Sequence, residues 1–423
     1  MEKYTPPTHS TNLSNLTPKL IVAKKVDFAN TLRGFAALCV LVSHYFGAFW
    51  ANPAGVSYLT NAPELQLPMP SYLAWLHSFP LFSWGGYGVA LFFLISGFVI
   101  PFSLKKSTFL GFSANRMIRI LPTYFVGFSI TLLAIFLCSH YFARDWAFTF
   151  REILIHYIPG IRDLFWTRSI DGIIWTLEIE VKFYLVCAIF IIWFKKLSYK
   201  IFFIPLTLCF ISFFLNSKLA NLQVSNVELW RLSMTFIFVS QYLTFMFIGV
   251  AFHFLYLNKI TPDKAYLLIG FNFSLFCILW WAGPYSQSLS AAWSYGFALL
   301  TFCFAFSFPL FFKSNRVFDF FANISYPLYV VHGVGGYVAL RILLDLGFGI
   351  RLALTIVTIL FIIVSWILHK FIEEPTQKLG KKVGNLIAQI KLTKLFFDPS
   401  KKMIFNVSYL KKLARKGSNN VIS

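Results

Sequence analysis

A guanidinium and an imidazole frame the first apolar run of this chain. In DFANTLRGFAALCVLVSHYFGAFW, residues 27–50, Arg33 and His44 stand eleven positions apart. On a helix that spacing is three turns plus about 20°, so both side chains share one face, about 16 Å apart along the axis. The separation is about half the hydrocarbon thickness of a bilayer. One helix would then hold a cation near one membrane surface and a titratable base deep in the other half. Ionisable groups at such depth are costly and usually mark a pathway or a reaction site. The plainer reading is an interfacial arginine that snorkels and a histidine satisfied inside a bundle.

Three further stretches carry chemistry inside apolar surroundings. DGIIWTLEIEVKFYL, residues 171–185, puts Glu178 and Glu180 two apart and so on different helix faces. Glu178 stands four before Lys182, so those two are expected to neutralise each other, leaving Glu180 to face a site within reach of His44. In RMIRILP, residues 116–122, Arg116 and Arg119 share a face at the start of a span. They offer an anion clamp suited to phosphates, or simply two charges that set topology. NISYPLYVVHG, residues 323–333, places Tyr329 and His332 inside a late span, while FIEEP, with Glu373, Glu374 and Pro375, reads as the close of a helix.

The elements that hold these groups follow from composition. Hydrophobic residues make up 58% of the chain and charged ones 13%, with a mean hydropathy of +0.69, which excludes an ordinary soluble globule. Spanning-length apolar runs recur without strict alternation, so the expected fold is an all-α polytopic membrane bundle rather than a β-barrel. Ten spans are expected, near 30–50, 85–104, 121–141, 173–195, 201–215, 234–257, 265–281, 292–312, 324–344 and 352–372. The net charge of +21 suggests nucleic acid at first sight. The basic residues, however, cluster between spans in the positive-inside pattern, and no nucleic acid partner is expected. Residues 51–83 contain no Lys or Arg. That segment is therefore expected outside the cell, with both termini cytoplasmic, Arg33 near the inner surface and His44 in the outer half. The loop with Arg144, Arg151, Arg162 and Arg168 departs from the rule; Asp145, Glu152, Asp163 and Asp171 offset it.

The six cysteines, Cys39, Cys138, Cys187, Cys209, Cys277 and Cys303, fall in expected spans without CxxC or Cys/His spacing. They read as small core hydrophobes, not as disulfides or metal ligands. The first residues lack a signal-peptide apolar region. The expected organisation is a cytoplasmic tail over 1–26, a transmembrane domain over 27–382 and a basic cytoplasmic tail over 383–423. Within that tail LIAQIKLTKLFF is suited to the anionic inner leaflet. No internal repeat is visible, which counts against a transporter built from inverted halves.

Together and in this order, these pieces resemble the acyltransferase 3 family of membrane acyltransferases, over residues 27–382. The family's Arg-x10-His motif is matched by Arg33 and His44, and its RxxR motif by Arg116 and Arg119. Its Trp-Ser/Thr-Leu-x-x-Glu element is similar to Trp175, Thr176, Leu177 and Glu180, followed by Phe183 and Tyr184. Its SYxLYxxH element resembles Ser325 to His332, and its Glu-x-Pro resembles Glu373 and Pro375. Many members carry a double glutamate where this chain has Glu180 and Val181. The residues after the last span are too few for the SGNH-type domain that many members add, so a stand-alone form is expected.

The resemblance implies transfer of an acyl group, often acetyl, from cytoplasmic acyl-CoA to a hydroxyl. The acceptor would be a glycan or lipid-linked sugar, such as O-antigen or exopolysaccharide, in a bacterial cytoplasmic (inner) membrane. Within the same class it could be a macrolide or a peptidoglycan sugar. On this reading Arg33, Arg116 and Arg119 hold the CoA phosphates, and His44 acts as general base or transient acyl carrier. Glu180 orients the imidazole and stabilises its charged form. Trp175, Tyr329 and His332 are candidate substrate contacts. Membrane lipids surround the bundle, and no metal is needed. The rival from another class is a transporter or flippase for a glycolipid or small molecule, which would use the same charges as a pathway and leave no ester.

Overall fold

In lipid every backbone N–H and C=O must be bonded within the chain, which long apolar runs achieve as helices. The computed structural model describes residues 26–77, 82–284 and 289–389, and among them there is no strand. Helix α1 is Asp27–Val42; it continues through a π-helical turn, Ser43–Ala48, into Phe49–Ala51. A short α2, Pro53–Thr60, follows under an Asn52 cap. Helix α3, Trp84–Val99, starts where the Ser83 hydroxyl accepts the Gly86 N–H, and Thr108 caps α4, Phe109–Tyr141, in the same way. Helix α5, Phe150–His156, opens on a Thr149/Glu152 capping box. Helix α6, Ile174–Ile189, breaks at Phe190 and resumes as Ile191–Lys195. Then come α7 (Phe203–Asn216), α8 (Val227–Tyr256), α9 (Pro262–Ala282), α10 (Leu289–Ser307) and α11 (Arg316–Asp345). Helix α12, Ile350–Leu368, runs through a π-helical turn, His369–Glu373, into Glu374–Gln389.

The all-α membrane bundle expected from composition is the fold observed. Among the described residues, eight helices are long and apolar enough to cross a membrane: α1, α3, α4, α7 together with the 3-10 turn Tyr199–Phe202 that leads into it, α8, α9, α11 and α12. The other two expected spans fall on α6 and α10. Helix α6 needs its continuation past Phe190, whereas α10 runs over Leu289–Ser307.

Helix α11 packs on α1, α4 and α12, while α3 packs on α1, α8 and α10. Glycines set how closely these helices approach, as small residues do between helices in lipid. A Cβ on Gly97 of α3 would stand 2.0 Å from the Met246 carbonyl oxygen of α8, and one on Gly249 would stand 2.3 Å from that of Leu94. The last segment of α12 lies along the first turns of α4, with Gly384 against Gly111 and Gly380 against Asn115.

That contact corrects three expectations. Glu373, Glu374 and Pro375 do not close the helix. The π turn shifts the hydrogen-bond register ahead of Pro375, which then occupies the second position of the resumed α-helix. Residues 383–389, assigned to the tail, belong to the packed bundle, whereas residues 1–25 and 390–423, with most of LIAQIKLTKLFF, lie outside the described residues. Arg116 and Arg119 lie inside α4, whose start at Phe109 precedes them. Of the cysteines, Cys39, Cys138, Cys187 and Cys209 are buried and Cys303 is half-buried, but Cys277 is exposed on the apolar perimeter.

Candidate functional site

Six helices (α1, α3, α4, α6, α11 and α12) enclose a cavity of about 280 Å³, at the lower end of the range for small-molecule sites, about 300–1,000 Å³. Arg33 from α1 and Arg119 from α4 line it, facing Glu180 from α6, Tyr329 from α11 and Glu373 from α12. Neither guanidinium makes a hydrogen bond or ion pair with the described residues. Both carboxylates, by contrast, are bonded. Glu180 accepts the Tyr184 hydroxyl at 2.6 Å and the Ser96 hydroxyl at 3.3 Å. Glu373 is buried between His369 Nδ1 and Gln377 Nε2, each 2.7 Å away. The cavity therefore offers two free cationic forks against two satisfied anions, an arrangement suited to a polyanionic guest.

Arg116 does not join this pair. It is buried, donates to the Ser103 hydroxyl at 2.6 Å, and lies over the Phe112 and Tyr184 rings at 5.3 and 5.1 Å. Three residues on a helix leave about 60° between side chains, enough to turn one arginine into the cavity and the other behind its wall. The expected three-arginine clamp is thus two arginines in the cavity and one in its support.

The two glutamates of α6 point apart, as their spacing requires, but Glu178 takes another partner. Arg162 grips it with two hydrogen bonds, at 3.0 and 2.6 Å, while Lys182 reaches Asp163 at 2.7 Å. The Glu178–Lys182 pair expected from sequence is replaced because the loop between α4 and α6 folds back onto α6 and brings a fork that fits a carboxylate bidentately. Two of that loop's four arginines are engaged this way, the second being Arg168, held by Glu152 at 3.1 Å.

His44 lies in the π turn of α1, half-buried, with Nδ1 2.8 Å from the Tyr337 hydroxyl. Its ring meets that of His332 at 4.8 Å. The structure thus brings His44 and His332 together. The partner of His44 is Tyr337, whereas Glu180 is bonded to Tyr184 and Ser96. The expected Glu180–His44 contact does not form, because Glu180 faces the cavity at the Arg33 end of the bundle. Tyr329 stands between the two places. It lines the cavity, its ring is 6.1 Å from that of His332, and its hydroxyl is tied to the Thr176 hydroxyl and the Ile173 carbonyl of α6. Trp175 packs with Phe93, Phe238 and Tyr242, so Thr176 and Leu177 beside it line the cavity instead. Among the described residues, no three His, Cys, Asp or Glu side chains gather to hold a metal ion.

Sequence reasoning missed Tyr337 and treated the Glu373 segment as punctuation. His369, Glu373 and Gln377 recur every four residues, a one-face ladder of polar groups that was there to be read. Tyr337 carries a weaker signal: a phenol inside an apolar span needs a hydrogen-bond partner.

A family model described as an acyltransferase domain matches residues 26–370. The chain is 33% identical over 119 residues to Nodulation protein 10 of Rhizobium leguminosarum bv. viciae, covering 23% of this chain and 31% of that protein. It is 29% identical over 177 residues to the O-acetyl transferase of Shigella phage Sf6, covering 39% of this chain and 46% of that protein. The chain thus matches less than half the length of either curated relative. No solved structure matches it.

Proposed function

The chain belongs to the acyltransferase 3 family, and from that premise we propose that it is a membrane-embedded O-acyltransferase. It moves an acyl group, acetyl in the first instance, from cytoplasmic acyl-CoA to a hydroxyl of a glycan or lipid-linked sugar. The phage relative is an O-acetyl transferase by name, which supports acetyl as the group moved. The observation that carries the reading is the pair of unbonded guanidiniums, Arg33 and Arg119, lining a cavity whose wall at Tyr329 is one turn from His332. CoA brings phosphates, which such forks hold through charge-assisted bonds, and a long arm that ends in the thioester. The cavity suits the arm rather than the whole cofactor, so the nucleotide sits at the mouth and the thioester is carried past Tyr329 toward His44. Protein groups supply all the catalysis this transfer requires: a base for the hydroxyl and a donor for the oxyanion.

The test is the O-acyl ester content of surface glycans from a deletion strain complemented with wild type or with His44→Ala at matched protein level. Wild type should restore the esters, and the variant should leave them at least about 100-fold lower, the scale of one lost catalytic group, whether base or oxyanion donor. Full restoration by His44→Ala would remove His44 from the chemistry. A transporter or flippase would consume no acyl-CoA and leave no ester in any strain.

A further inference from the structure

We propose that His332 takes the proton from the acceptor hydroxyl, and that His44 donates a hydrogen bond to the thioester oxygen as it becomes an oxyanion. This rests on the reading that acyl transfer occurs beside His44, and adds which nitrogen does what. His332 is 1% exposed, and its Nδ1 faces two carbonyl oxygens, those of Leu328 at 2.7 Å and Tyr329 at 3.1 Å. A carbonyl can only accept, so Nδ1 carries the hydrogen and the neutral ring keeps its lone pair on Nε2. That Nε2 is buried and has no partner. Buried acceptors are almost always bonded, so one left open is a group held ready for a donor.

His44 has the opposite pattern. Its Nδ1 is 2.8 Å from the hydroxyl of Tyr337, which is itself buried and has no other hydrogen-bond partner among the described residues. A buried phenol keeps its proton bonded, so Tyr337 donates to Nδ1, and the neutral His44 ring carries its hydrogen on Nε2. The two rings meet edge to face, 4.8 Å between centroids and 72° between planes. A lone pair on one ring and an N–H on its neighbour match the two atoms that change most when a hydroxyl attacks a carbonyl. The acceptor O–H proton passes to His332 Nε2 as the oxygen–carbon bond forms, and the carbonyl oxygen takes the electron pair against His44 Nε2–H. When the carbon–sulfur bond breaks, the CoA sulfur recovers the proton from His332 Nε2, leaving ester and free thiol. The Leu328 and Tyr329 carbonyls stabilise the transient His332 imidazolium.

Membranes containing the full chain and its endogenous acceptor, supplied with radiolabelled acetyl-CoA, separate these roles. His332→Asn keeps a donor for the Leu328 carbonyl and loses the base; ester formation should fall about 10²–10⁴-fold in kcat, with KM for acetyl-CoA unchanged. His44→Gln keeps an N–H near the Nε2 position and should stay within about tenfold of wild type, whereas His44→Ala should lose about 10²–10³-fold. Near-wild-type kcat in His332→Asn, or His44→Gln as inactive as His44→Ala, would overturn the assignment while leaving acyl transfer in place. Absence of label incorporation and thiol release with wild type would sink acyl transfer itself, and this division of roles with it.

Discussion

Arg116 and Arg119 read alike in the sequence, yet one belongs to the wall and the other to the cavity. Arg119→Ala removes a free guanidinium and should raise KM for acetyl-CoA about tenfold or more, since a hydrogen bond to a charged group contributes about 1.5–3 kcal/mol, and should leave thermal stability unchanged. Arg116→Ala removes the charged donor to the half-buried Ser103 hydroxyl and uncovers the faces of Phe112 and Tyr184. It should lower stability by about 1–3 kcal/mol and leave KM nearly untouched. Thermal shift and initial rates on the purified pair distinguish the two losses. The residue types that matter were legible from sequence, because charges and imidazoles in an apolar run declare themselves. Their partners were not. Tyr337 is 293 positions from His44, and only the rotation of α11 against α1 decides that they meet.

Helix α6 positions Glu180, Thr176 and Leu177, and its entry is fixed by one carboxylate. Asp171 Oδ1 accepts the N–H groups of Ile173 and Ile174 at 3.1 and 3.0 Å, and Oδ2 accepts the Tyr124 hydroxyl at 3.0 Å. Burial opposes the charge of Asp171, but the His156 imidazole beside it, the Ile174 N–H and the Tyr124 hydroxyl outweigh burial and hold its pKa below the ordinary 3.8. A carboxyl depressed in the fold stabilises it above the unfolded value, about 3.9, and this stabilisation is lost as pH falls through the lower folded value. Asp171→Asn should therefore cost about 1–3 kcal/mol at neutral pH and flatten the loss of melting temperature below about pH 4.

At the α3–α8 contact, Gly97→Leu would drive a side chain into the Met246 carbonyl. Folded protein recovered from the membrane should drop severely, measured by size-exclusion yield, while Gly270→Leu, where a Cβ meets nothing within 4 Å, should be tolerated. Helix identity was readable from apolar length, but helix ends were not. Hydropathy reports contact with lipid, so the apolar profile of α4 begins near residue 121. In the fold the helix begins at Phe109, where the last segment of α12 covers its first turns at Gly111 and Asn115. The same blindness made Glu373 look like a stop signal.

At the scale of the molecule, eight of the ten expected spans lie on helices that, among the described residues, are long and apolar enough to cross a membrane, and a shorter one, α6, brings Glu180 to the cavity. Short helices are weak in a hydropathy profile because the residues that serve the site are polar and interrupt them. The longest element carries a different lesson. From Ile350 to Gln389, α12 is 40 residues, about 60 Å at 1.5 Å per residue, against a hydrocarbon slab of about 30 Å. Its first segment, Ile350–Leu368, already crosses that slab, so everything from His369 onward stands at the waterline. Glu373 and Gln377 therefore line the cavity at the end of that crossing, where the apolar part of α12 runs out. On the proposed reading, a hydrophilic donor would leave its charged head at that end and send only its slender, uncharged arm inward, so the highly charged part of the cargo would never have to enter oil.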